Sequence, residues 1–140
     1  MFLSALDHDE KVAFLGLANH LVSIDGIRSI EENELFEEMR HEMRLRERAS
    51  GDVDVADLCG AFTRRESQRI AVLELITLAL VDGLAVTEHA LINTVARHFE
   101  LPPRTLARYY SWAHRLARLN DEARAMINER DEGASAATKR

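Results

Sequence analysis

The chain has 140 residues, 46% of them hydrophobic, with a formal net charge of −6 and a single cysteine, Cys59. That length and apolar content suit one domain with a real core, and a lone cysteine excludes an intrachain disulfide and a cysteine-based zinc cluster, pointing to the reducing cytosol. The negative field disfavours nucleic acid as a partner unless a local basic patch overrides it.

The start, Met1 to Glu10, has no basic segment followed by an apolar run, so no export signal is expected there. Asp7 and Glu10 have the spacing of a capping box, which predicts a helix from Asp7 to Ile24. Between Val12 and Ile24 its polar positions are Asn19, His20 and Ser23. A helix apolar on nearly every side belongs in a core. His20 within it reads as a hydrogen-bonded core histidine, because buried polar groups find partners.

Asp25-Gly26 ends this run. Ser29, with Glu32 three residues on, caps a second helix expected to reach Arg48, with Leu35, Phe36, Met39 and Met43 on its inner stripe and Glu31, Glu34, Glu37, Glu38 and Glu42 on the outer face. Ala49 to Asp52 is a turn signal, and a short helix is expected from Asp54 to Phe62. Cys59 on it reads as a small buried hydrophobe.

Thr63 and Glu66 repeat the capping spacing ahead of a second core helix ending at Val81. Its apolar stretch, Ile70 to Val81, carries Glu74 and Thr77 and is shorter than the roughly 20 residues of a membrane span. Asp82-Gly83 follows, then Thr87 as expected N-cap of an amphipathic helix to Phe99. Pro102 and Pro103 stop it and open a last helix running to about Glu129, since proline fits a first helical turn. From Asp131 onward no aliphatic residue larger than alanine occurs, and a disordered tail is expected over 131–140. Nothing alternates with period two, so the expected fold is all-α, one domain over 1–130 of about six to seven helices.

The chain also repeats itself. Asp25-Gly26 returns as Asp82-Gly83 at a shift of 57 residues, and Ala18, Leu21, Val22 and Ile24 match Leu75, Leu78, Ala79 and Val81 at that shift. After the Asp-Gly pair the shift is 56: Ile30, Glu32, Leu35, Phe36, Met39 and Met43 match Val86, Glu88, Leu91, Ile92, Val95 and Phe99. Two halves related by a pseudo-twofold are expected.

An apolar helix, Asp-Gly, a short connector, a Ser/Thr cap with acidic neighbours and another apolar helix, occurring twice over roughly residues 8 to 130, resembles the TerB-like family of tellurite-resistance proteins and of a DnaJ-type co-chaperone domain at the membrane. The resemblance implies an all-helical fold of two related halves, a non-enzymatic binding or scaffold role in tellurite resistance or general stress response, and a divalent-cation site, Ca²⁺ foremost, between the two connectors. Carried over by position, its ligands are Asp25, Glu32 and Glu34 from the first copy and Asp82 and Glu88 from the second. The match to Glu34 in the second copy is Ala90, so that half offers fewer carboxylates. A hard cation takes about 6 to 8 oxygen ligands, more than either connector holds alone.

Capping offers the other account of the same residues. Gly26 and Gly83 suit the left-handed residue that ends a helix, and Ser29 and Thr87 cap the helices that follow. An aspartate at a helix C-terminus is disfavoured by the macrodipole, by a few tenths to about 1 kcal/mol, and its recurrence at matching positions favours a further role.

On the last helix, Arg104, Arg108, Arg115 and Arg118 fall within about 80° of one another, with Trp112 at the border of that face and Leu106, Tyr109, Ala113, Leu116 and Ala117 on the core side. No acidic residue lies between Arg104 and Arg118. This face either pairs with the chain's own acidic helix or is simply solvated, or it docks a protein partner or an anionic membrane surface. Association with another copy stays open, and the expected location is the cytoplasm, including the inner-membrane surface. The six histidines form no pair at i, i+4, and neither Gly-x-Ser-x-Gly nor a phosphate loop occurs, so no catalytic motif is written in the chain.

Overall fold

The apolar run after Asp7 forms α1 (His8–Ser23), started by the capping box that the spacing predicts: Asp7 accepts from the Glu10 backbone N–H and Glu10 accepts from the Asp7 backbone N–H, both at 2.9 Å. In the computed structural model, which describes residues 1–24, 29–46, 53–81 and 86–130, it is followed by α2 (Ile30–Glu42), α3 (Val55–Cys59), α4 (Arg65–Ala79), α5 (Val86–His98) and α6 (Pro103–Asn128). A short 3₁₀ turn, Leu3–Ala5, precedes α1. The described residues are all-helical with no strand, and none of their helices is long and apolar enough to cross a membrane. The Asp25-Gly26 and Asp82-Gly83 pairs, the Ala49–Asp52 turn signal and the tail at 131–140 lie outside the described residues.

Packing follows the apolar faces. α4 lies at the centre and touches α1, α2, α5 and α6; α1 also packs on α2 and α3, and α3 reaches α5. Phe14, Leu17, Ala71, Val72, Leu75, Ile76, Leu78 and Ile92 have no exposed surface, and Met39 and Met43 join this core, as their stripe predicts. Gly16 allows the closest approach of α3: a Cβ there would stand 2.9 Å from the Leu58 side chain. His20 is half-buried and its Nε2 lies 2.7 Å from the Val53 carbonyl oxygen, the partner expected of a core histidine. Burial pushes the Cys59 thiol up to about 11, which leaves it protonated and unreactive near neutrality.

Some positions matched in the sequence share a backbone conformation where α2 and α5 end. Arg44 and Glu100, at the shift of 56, both take left-handed φ, 56° and 55°. Each is followed by a buried leucine, Leu45 and Leu101, whose N–H reaches back to the carbonyl of Arg40 or Ala96. This is the Schellman closure of a helix, made without glycine. It ends α2 at Glu42, not at Arg48 as the sequence suggests. The opening turns match too: Ile30 and Val86 stand exposed, while Glu32 and Glu88 are buried.

Two caps differ from expectation. The N-cap of α4 falls one residue after the expected Thr63, on Arg64, with no side-chain capping bond. Arg64 instead donates to the Glu10 carboxylate at 2.6 Å and to the Ala5 carbonyl at 3.3 Å, pinning the start of α4 to the start of α1. α5 begins at Val86, so Thr87 lies inside its first turn and is not the N-cap. α3 is also shorter than the expected Asp54–Phe62.

A candidate docking site on the last helix

Pro103 opens α6, whose N-cap is Pro102, and one side of the helix lies against α4 through Leu106 and Ala113, with Tyr109 and Trp112 partly buried at the edge. Tyr110 faces another way. Its hydroxyl lies 2.8 Å from His89 Nδ1 on α5, and burial pushes it up to about 12. These contacts fix the rotation of the helix and turn the predicted basic face to solvent.

Arg104, Arg108, Arg115 and Arg118 are all exposed, and none pairs with a carboxylate among the described residues. The reading in which they neutralise the chain's own acidic helix is therefore not the arrangement adopted. Arg108 and Arg115 stand on either side of Trp112 and, with Phe2, Leu73 and Tyr109, line a crevice of about 390 Å³. Arg104 and Arg118 lie on the same face beyond the two ends of the crevice. The Trp112 ring packs on Phe2 with centroids 6.2 Å apart, so its nearest ring partner is aromatic.

Phe2 is the element that the sequence does not advertise. It is held there by two glutamates: the Met1 ammonium lies 2.6 Å from Glu42 Oε1 and 3.3 Å from Glu74 Oε1, the Phe2 N–H donates to Glu74 at 3.0 Å, and the Leu3 N–H donates to Glu42 at 2.9 Å. Glu74 is buried, and these contacts account for a carboxylate in the middle of an apolar helix. A glutamate interrupting a core run is the one trace of this arrangement in the sequence.

At the other end of α4, Arg65 donates to the Phe99 carbonyl and, at 3.1 Å, to that of Glu100, satisfying carbonyls just beyond the end of α5. Glu10 is buried at the head of α1. Desolvation works to raise it, but the Arg64 guanidinium, the Asp7 backbone N–H and the Ser67 hydroxyl outweigh that and hold it below the ordinary 4.5. Ser67 and Glu10 Oε2 make no hydrogen bond of good geometry, so the hydroxyl acts as a nearby dipole.

The residues expected to hold a cation divide. Glu32 and Glu88 are buried at the third position of α2 and α5, Glu34 is exposed, and Asp25 and Asp82 lie outside the described residues. The Ser29 hydroxyl accepts from the Glu32 backbone N–H at 3.0 Å, as the capping reading requires. Among the described residues no three His, Cys, Asp or Glu side chains come together as a metal-holding group. No protein-family model, no curated protein and no solved structure matches the chain.

Proposed function

We propose that the chain is a non-enzymatic helical binding module of TerB-like character, acting in the cytoplasm, whose working surface is the Arg108/Trp112/Arg115 crevice and whose partner is an acidic protein segment. The observation that carries this reading is a concave apolar floor between two arginines that have no carboxylate partner among the described residues. A concave site suits a side chain or peptide better than it suits the plane of a bilayer. Aromatic and arginine residues in a pocket are also the types that dominate binding energy at protein interfaces.

A fluorescent peptide of glutamates with one central leucine should bind the wild type. Arg108→Glu with Arg115→Glu should weaken it at least about tenfold, by like-charge repulsion at the crevice. Unchanged affinity in the double variant contradicts this reading, as does binding to phosphatidylserine vesicles with none to the peptide.

A second reading, a divalent-cation site tied to tellurite resistance or stress response, is favoured by one observation: the two carboxylates at matching repeat positions, Glu32 and Glu88, are both buried. Carboxylates are hard-cation ligands, but those two do not fill a coordination shell, so Asp25 and Asp82 are needed to complete it. Ca²⁺ should then raise the melting temperature, and Asp25→Ala with Asp82→Ala should remove the shift. Calorimetry showing no heat with Ca²⁺, Mg²⁺ or Mn²⁺ removes this reading and leaves the capping account of the connectors.

A further inference from the structure

The acidic partner can be specified further if the docking reading holds, on which this inference rests: we propose that it is a second copy of this chain, offering the exposed glutamates of α2 to the basic face of α6. Glu31, Glu34 and Glu38 are exposed and have no cationic partner among the described residues. At 100° per residue they share about 60° of the α2 surface. Among the described residues the acidic stripe and the basic stripe are both unneutralised, and they do not pair with each other within one molecule.

Their placement suits reciprocal contact. α2 and α6 flank α4, and Leu35 and Glu38 on one wall face Trp112 and Leu116 on the other across a groove floored by Thr77. Trp112 also lines the arginine crevice, so the basic stripe starts where that groove ends. A twofold axis across the groove lays each copy's α2 on the other's α6, making the same contact twice in a closed dimer. The spacing agrees: Glu31 to Glu38 and Arg108 to Arg115 each span seven residues, about 10 Å of helix, so both charge pairs meet in register.

Apolar surface lies on the same lines. Leu119 and Met126, 60% and 64% exposed, fall within about 40° of Arg108 and Arg115 on α6. Ile30, 72% exposed, lies about 40° from Glu34 on α2. With −6 on each copy, two molecules repel at long range. Attachment therefore requires this local complementarity and not bulk charge.

Sedimentation velocity on the full chain in about 0.1 M salt, up to about 100 µM protein, tests the proposal. The wild type should be a dimer. Arg108→Glu with Arg115→Glu should be monomeric, and so should Glu31→Arg with Glu38→Arg; an equimolar mixture of the two double variants, or all four changes in one chain, should restore the dimer. Circular dichroism establishes that each variant is folded. A wild type that stays monomeric, or a dimer that survives both double variants, overturns the proposal. If the monomeric wild type still binds the glutamate peptide, the crevice stands and only its partner changes; if it binds neither, both readings fall.

Discussion

Phe14→Ala should lower the free energy of unfolding by about 3 to 5 kcal/mol and the thermal midpoint by about 10 °C or more. Phe14 is one of the largest side chains with no exposed surface, on a helix enclosed by α2, α3 and α4. Truncating it removes the transfer energy of the ring and leaves a cavity that three packed helices cannot close without moving one another. Val12→Ala supplies the internal comparison, since Val12 lies on the same helix but is 37% exposed. That variant should fall within about 0.5 kcal/mol of wild type, as surface changes do. Equal effects from the two substitutions in chemical denaturation would mean that α1 is not the buried helix described.

Glu10→Gln should destabilise the chain at neutral pH, and the deficit should vanish in acid. The substitution keeps the volume and one capping contact but removes the charge that Arg64 meets at 2.6 Å. The sign follows from linkage. The carboxyl is held below its ordinary 4.5 in the folded chain, so the unfolded chain binds the proton more tightly. The stability it contributes is fully present above 4.5 and is lost as pH falls through the depressed folded value. Urea midpoints of wild type and Glu10→Gln should therefore differ at pH 7 and converge as the pH falls below 4.5 and through the depressed folded value. A difference that is the same at both ends of that range would mean the Glu10–Arg64 pair adds no charge-dependent stability.

The helices themselves were largely written in local patterns. The Asp7–Glu10 capping box, the Ser29 cap and the proline pair at the head of α6 all form where side-chain chemistry places them. Ends that depend on tertiary partners were not legible. Nothing in Arg44 or Glu100 marks a left-handed residue; what selects it is the burial of the leucine that follows, which only the folded core provides. Arg64 takes the N-cap position that Thr63 was expected to fill, in a segment where Arg64 also holds Glu10 and Ala5, contacts 54 and 59 residues away in the chain.

The candidate site was half legible in the same sense. The arginine stripe and the border position of Trp112 follow from helical periodicity alone. The opposite wall of the crevice does not, because Phe2 reaches it through Glu42 and Glu74, contacts between segments 39 to 72 residues apart. The expected cation ligands follow from the repeat, and there the burial of Glu32 and Glu88 against the exposure of Glu34 is what the fold adds. Pooling of the two connectors depends on Asp25 and Asp82, which lie outside the described residues.

The docking claim can be read at its own site, because Trp112 is the only tryptophan in the chain and lies between the two arginines of the crevice. Titration with the glutamate peptide, followed by intrinsic fluorescence, should give a saturable shift of the emission maximum in the wild type that is absent in the Arg108→Glu, Arg115→Glu variant. Peptide binding with no change at Trp112, or the same change in both proteins, would contradict the assignment of this face as the docking surface.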